Sequence, residues 1–238
     1  MANKKRKKAL EMYSHEEMEA VEAHINNYFG PVSYFMHEIV STDIHVDICV
    51  IPPNEEHPYY TLSTMGMGAH RMKVPQELRC YQLERAELVI ALPASWKLDE
   101  KSLHDDNWYW PVRLLKRLAR LPIECNTWLA YGHTTDNQEP YAPCTQLCGT
   151  MILAPQYVEE DAICMQLPNG ENVNFYQVVP IYKEEMDYAL EHGFDELFQK
   201  LTGKGTSIIV NNHRRNCMKQ CLGNFHPLSL LLTLLGKI

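Results

Sequence analysis

The chain has 238 residues, of which 45% are apolar and 22% charged. That balance suits a globular protein able to bury roughly 70% of its unfolded surface without disulfide staples. Residues 1–8 carry five bases and no acid, residues 201–238 carry five bases and no acid, and 9–200 hold 12 bases against 30 acids, a net of −18. So acidic a body argues against a nucleic-acid partner and for a basic protein partner. No apolar run, the one at 228–235 included, approaches the roughly 20 residues that cross a bilayer. The Lys/Arg-rich start has no apolar secretory stretch, so the eight cysteines read as reduced thiols in a cytoplasm.

Residues 1–9 read as a basic flexible tail. Ser14-x-x-Glu17 is a capping box, and Met18, Val21, Ile25, Tyr28 and Phe29 recur at helical spacing, predicting a helix over 14–29. Ile44, Val46, Ile48 and Val50 alternate with polar neighbours, the mark of a strand with one buried face. Further strands are predicted near 59–65, 86–92, 127–131, 149–153, 162–167 and 173–181. Gly66 and Gly68 fit a bulge or tight turn beside a strand. Asp105 or Asp106 caps a second helix with a Trp108, Val112, Leu115, Leu118, Ala119 stripe and Lys116, Arg117 and Arg120 in water. Pro111 belongs in a first turn, which places the regular start near Trp110. A third helix follows Tyr182, with Met186 and Leu190 inward, and ends at Gly193. A fourth runs from Phe194 to Gly203, and Ser207–Val210 is a last strand. This order predicts one α+β domain over 10–215, a mixed sheet covered by helices, with 216–238 as an extension.

Several clusters invite chemistry. His45 and Asp47, at i and i+2 of a strand, face one side and with a distant His104 or His133 would mimic a two-His-one-carboxylate iron site. The alternative is a polar strand face. Cys144-x-x-x-Cys148 and Cys217-x-x-x-Cys221 lack a histidine at zinc-ligand spacing. Asp105 and Asp106 after His104 fit a helix cap better than an acid/base pair. Nucleotide-cradling and nucleophile-elbow motifs are missing, so no cofactor and no catalytic residue is assigned. Candidate protein-binding residues are Tyr59 and Tyr60, as exposed aromatics, and His133 and Asp136 in the Gly132–Asn137 loop. Glu185 and Asp195 join them on an acidic helical face that would steer a basic partner. His213-Arg214-Arg215 fits pairing with the acidic body.

The run Asp47–Trp96, with Tyr60-Thr61-Leu62, Thr64-Met65-Gly66-Met67-Gly68, Met72-x-Val74-Pro75 and Arg85-Ala86-Glu87-Leu88-Val89-Ile90, resembles the Suppressor of Fused domain family. So do Trp110-Pro111-x-x-Leu114-x-x-x-Leu118-Ala119-Arg120, Gly132-His133, Phe175–Tyr182 running into Glu184-Glu185, and Asn212-x-Arg214-Arg215. The resemblance covers roughly 25–215. It implies a non-enzymatic protein-binding domain. In animal members this domain and a second one clamp a peptide of a transcription factor; here Leu121 and Tyr131-Gly132 replace the Tyr and the acid those members use, and the chain ends soon after the first domain. Single-domain bacterial members suggest a toxin-neutralising immunity protein. Two alternatives stay open: a metal-dependent oxygenase or hydrolase using His45 and Asp47, and a scaffold or regulatory protein with another protein partner. Oligomeric state is not legible.

Overall fold

In the computed structural model residues 9–219 are described. The basic run at 1–8, Cys221 and the Leu-rich stretch at 228–235 lie outside the described residues. Ser14 opens the first helix. Its hydroxyl accepts from the Glu17 amide at 3.2 Å and the Glu17 carboxylate accepts from the Ser14 amide at 2.8 Å, so α1 runs His15–Tyr28 from a complete capping box.

Eight strands follow in chain order: β1 Tyr34–Met36, β2 Asp47–Ile51, β3 Tyr59–Met65, β4 Ala86–Pro93, β5 Thr134–Asp136, β6 Gly149–Leu153, β7 Cys164–Gln166 and β8 Asn172–Ile181. They form one mixed sheet in the order β1-β2-β3-β4-β8-β6-β5, with β7 paired to β8 off that path. The β4–β8 pairing is parallel and the others are antiparallel. Helix α2, Asp106–Glu124, lies between β4 and β5 in sequence; α3, Lys183–His192, and α4, Phe194–Gly203, follow β8.

Alternation along β4 gives the layering. Leu88, Ile90 and Leu92 enter one core with Trp110, Leu115 and Leu118 of α2. Val89 turns the other way, toward Val21 and Ile25 of α1, and Ala91 meets Leu197 and Leu201 of α4. Helix α2 therefore covers one face of the sheet while α1, α3 and α4 share the other, the α+β arrangement expected.

Several local expectations change. Helix α2 starts at Asp106, capped by Asp105, not near Trp110. Pro111 sits in its second turn and leaves the Asn107 carbonyl without its helical donor; the Cys144 thiol reaches that oxygen at 3.7 Å, and the Cys144 amide donates to the Asn107 side chain at 3.1 Å. Arg120 does not face water. Its guanidinium holds Glu38 at 2.7 and 2.8 Å, Asp43 at 3.2 Å and the Ile44 carbonyl at 3.1 Å. Leu190 is 73% exposed. Residues 127–131 form no strand, because Thr127 and Leu129 bond the 72–73 segment. Ser207–Val210 contributes a single bridge, Ile209 to Ala91. Ile44 bridges Glu11, and β2 begins only at Asp47. Packing continues past 215: Asn216 and Cys217 are buried.

Glu87, in the middle of β4, is fully buried. One carboxylate oxygen accepts from the Tyr13 hydroxyl at 2.9 Å and from the Gly66 and Gly68 amides at 3.0 Å each; the other accepts from the Thr64 hydroxyl. Gly66 and Gly68 thus form a tight turn whose amides close on an internal carboxylate. Burial pushes the Glu87 carboxyl above its ordinary pKa, and these four hydrogen bonds oppose the rise. Burial and the Glu87 charge push Tyr13 well up, which keeps it a donor. Gly66 has φ 124°, and a Cβ there would lie 2.0 Å from the His45 carbonyl oxygen. A Cβ on Gly68 would lie 2.1 Å from the Tyr13 hydroxyl. Gly66→Ala is expected to cost about 3 kcal/mol or more, from a clash with backbone in a left-handed conformation. Tyr13→Phe, which removes one donor, should cost about 1–3 kcal/mol. Urea titration reads both; wild-type stability in Tyr13→Phe would detach Tyr13 from the network's energetics.

Candidate functional site

Six residues were expected on a binding surface, and the fold scatters them. Tyr59 is 7% exposed, packed with Met151, Val179 and Leu201, so it is a core residue and not an exposed aromatic. Tyr60 is half-buried against the α2 core. Asp195 is exposed on α4. Glu185 is fully buried, which removes it from any steering surface. Its carboxylate pairs with the Arg214 guanidinium and accepts from the Cys217 and Tyr182 amides at 2.9 Å each. Burial alone would raise its pKa; the Arg214 charge and hydrogen bonds more than reverse that and hold it below the ordinary value. Its neighbours are partnered too, Glu184 by Asn216 at 2.8 Å and Asp187 by Lys183.

His45 and Asp47 do meet, at 3.1 Å. The other Asp47 oxygen takes His37 at 2.8 Å, and the Glu38 amide donates to Asp47 at 2.8 Å. His45 also contacts the Ser41 hydroxyl at 2.9 Å. The aspartate is thus spent on hydrogen bonds that brace the β1–β2 connection. Among the described residues no three His, Cys, Asp or Glu side chains are placed to hold a metal ion. Cys144 is likewise engaged by Asn107 and by the Asn212 amide at 3.2 Å.

His133 and Asp136 both lie at the sheet margin, beside and within β5. Thr135 pairs with Thr150 and the Asn137 amide reaches the Cys148 carbonyl at 2.8 Å. In this antiparallel register Thr134 and Asp136 therefore direct their backbone N–H and C=O groups away from β6. The Gly132–Asn137 segment is not only a loop: it holds the edge strand Thr134–Asp136. Beside it lies a cleft walled by α2, with Leu114, Leu118, Leu121 and Tyr141 supplying apolar surface and Arg117, Glu124 and Asp136 the charge. Arg117 bonds the Asn137 side chain at 2.7 Å and Asp136 accepts from the Gln138 amide at 2.7 Å, which fixes the strand's end. His133 packs edge-on against Trp128, and burial pushes its pKa down against a hydrogen bond to the Trp128 backbone. A free strand margin beside an apolar cleft can pair with an extended peptide.

Sequence reasoning missed Glu87, Glu38 and Asp43 as buried or paired acids, and the edge strands β1 and β5. The lone acid within Ala86–Pro93 was the one available signal for Glu87, since an otherwise apolar strand admits a charge only with partners.

A profile of the family described as Suppressor of fused protein matches residues 42–215. A protein of Ureaplasma parvum serovar 3 is 27% identical over 210 residues, 87% of this chain and 98% of that one. A solved Neisseria gonorrhoeae structure described as a Suppressor of Fused homolog is similar in fold, with TM-score 0.62 and 16% identity over 87% of this chain and 100% of that one. The Sufu–Fu complex gives 0.60 and 14% over 91% and 96%. Drosophila Suppressor of Fused gives 0.61 and 14% over 92% of this chain but 54% of that one, so this chain spans about half its length.

Arg214→Ala would strand the buried Glu185 charge and is expected to cost about 3–5 kcal/mol, whereas Asp195→Lys on the exposed face should change stability by less than about 0.5 kcal/mol. Because the folded pKa of Glu185 is depressed, its contribution is present above the unfolded value of about 4.3 and is lost as pH falls through the lower folded value. Urea titrations at neutral pH and at about pH 3 should therefore show the gap between wild type and Arg214→Ala narrowing in acid. An equal gap at both would remove the pair from the acid limb.

Proposed function

Since the chain belongs to the Suppressor of Fused family, we propose that it is a non-catalytic protein-binding domain that takes an extended, basic peptide segment along the free margin of β5. The observation that carries this is the outward-facing backbone of Thr134 and Asp136 beside the α2 cleft. A peptide strand there gains ladder hydrogen bonds and places alternate side chains against Leu118 and Leu121. Asp136, Glu124 and the exposed Glu139 outnumber Arg117 and Lys183 around the margin, which favours Lys and Arg in the partner. A relative solved as the Sufu–Fu complex supports a protein as the ligand class.

The finer reading is an immunity protein that neutralises a basic toxin domain. It is supported by the −18 charge of residues 9–200 and by similar proteins in two bacteria. Co-expression with a toxin domain encoded by a neighbouring gene tests it. Absence of rescue would discard the toxin while leaving the peptide mode standing.

Selection of random extended peptides on the immobilised chain should enrich basic sequences, with affinity falling as salt rises. Thr134→Pro deletes an outward amide at a position where an edge strand tolerates proline. It should weaken such peptides by about tenfold or more, the worth of roughly 1.4 kcal/mol, with little change in thermal midpoint. Bound peptide should also slow amide exchange at Thr134 and Asp136. Unchanged affinity in Thr134→Pro would move the site off β5.

A further inference from the structure

The residues that follow α4 reverse the charge of the chain. Residues 201–238 hold five bases and no acid, whereas 9–200 carry a net of −18. Part of this basic run walls a cleft of about 340 Å³, lined by Lys204, Thr206, Ser207, Asn211, Arg214 and Arg215 among others. That volume lies within the roughly 300–1,000 Å³ of small-molecule sites. Three bases and no acid line it. Of the His213-Arg214-Arg215 run, only Arg214 pairs with an acid among the described residues, namely Glu185. The exposed Lys204 ammonium and Arg215 guanidinium have no hydrogen-bond or ion-pair partner among the described residues. The sequence beyond 219 holds no acid that could neutralise them.

Both cations stand on backbone that the fold fixes. The amides of Lys204, Gly205 and Thr206 turn back onto the Lys200, Leu201 and Thr202 carbonyls of α4 at 2.9 to 3.2 Å. The negative end of the helix is thereby covered by backbone, and the Lys204 side chain is left free. On the other wall the Val210 amide donates to the Ala91 carbonyl at 2.9 Å. The Asn216 side chain and the Cys217 amide hold Glu184 and Glu185 at 2.8 and 2.9 Å. The buried Cys217 also lines the cleft. Burial, and then the Glu185 charge, push its thiol up to about 12, so at neutral pH it adds no negative charge. The lining thus offers an ammonium, a guanidinium, two hydroxyls and the Asn211 side-chain amide as donors. A donor-rich, acid-free lining suits a tetrahedral oxyanion with several acceptor oxygens better than a carboxylate with two. Arg215 supplies a planar fork and Lys204 a point charge, and fixed walls lower the cost of ordering them.

We propose that this cleft binds a small phosphomonoester, with Lys204 and Arg215 on the phosphate oxygens and the Thr206 and Ser207 hydroxyls donating to them. Size and field both favour a free small molecule over a polyanion. An anionic membrane or a nucleic acid brings many charges against the acidic body, whereas a single dianion responds to the charges within about 8 Å of it. The cleft shares no lining residue with β5 or the α2 cleft, so it stands or falls independently of the peptide-binding reading.

Isothermal titration of the full chain with phenyl phosphate, with inorganic phosphate and with benzoate, all at one ionic strength and neutral pH, tests this. One equivalent of phenyl phosphate should bind, at least about tenfold more tightly than benzoate. Lys204→Gln/Arg215→Gln should weaken it by more than about tenfold. Arg79→Gln, which removes an exposed arginine at a different hollow, should leave it unchanged. Without ligand, circular dichroism melts of wild type and the double variant should coincide, because both side chains are exposed. With phenyl phosphate only the wild-type midpoint should rise. No binding of either phosphate at about 10 mM overturns the proposal. So does undiminished binding by the double variant, which would put the anion elsewhere. Benzoate held as tightly as phenyl phosphate would reduce the cleft to a general anion field and overturn it too. Wild type that sediments with phosphatidic acid vesicles yet ignores phenyl phosphate would assign the cleft to a membrane surface, against the proposal.

Discussion

A carboxylate sealed inside the sheet organises this fold. A charged Glu87 in an apolar layer is tolerable only when its oxygens are saturated, because desolvation of an unpaired carboxylate costs several kcal/mol. The donors come from separate stretches: Tyr13 before α1, Thr64 at the end of β3, and the amides of Gly66 and Gly68. Arg85, two residues away on the chain, closes the same turn from outside by donating to the Gly68 and Ala69 carbonyls and pairing with Glu171, next to the start of β8. The Thr64–Gly68 motif, the Arg85-Ala86-Glu87 run and the α1 lead-in are therefore parts of one device. The glycines are required because side chains at either position would occupy space held by His45 or Tyr13.

The C-terminal side of the domain repeats the principle with a cation added. Glu185 takes the Arg214 guanidinium and the Cys217 and Tyr182 amides, which fastens the 210–217 segment onto α3. Tyr182 contributes twice more, through its hydroxyl to the Arg214 carbonyl and its ring beneath the Arg214 guanidinium. Interior acids thus act as clasps, and the acidity of the chain is only in part a surface property. Other acids, Asp136, Glu124 and Glu139 among them, remain outside.

The margins of the sheet are less tightly tied than this core. Among the described residues β5 and β1 end the strand order, and each carries backbone groups without a strand neighbour on its outer side. They differ in character. β5 offers a ladder beside an apolar cleft, suited to an extended peptide, whereas β1 leads into a braced tip that presents two apolar side chains. The separation follows from topology, since six strands in the sheet order lie from β1 to β6 before β5 closes the far edge.

Much of the architecture was legible because its causes are local. The Ser14–Glu17 box, the Asp105 cap, the stripe of α2 and the apolar runs of β4 and β8 depend on residues within a few positions of one another, and periodicity exposes them directly. Other features depended on partners distant in the chain. Three-residue strands such as β1 and β5 have too little pattern to announce themselves, and they exist because β2 and β6 offer them a ladder. Glu185 looked like a solvated acid at a helix start, and only Arg214, 29 residues on, makes it a buried pair. Arg120 looked exposed until Glu38, 82 residues back, folded onto it. Residues 127–131 had the composition of a strand but no strand beside them. The sequence by itself determined which segments become helices and long strands, and the family; the tertiary structure decided where α2 starts, that the central strands are buried on both faces, which charges are buried, which strands lie at the edge and which apolar side chains remain in water. The reason is that propensity and periodicity act between chain neighbours, whereas charge burial and strand pairing are settled by groups that only folding brings together.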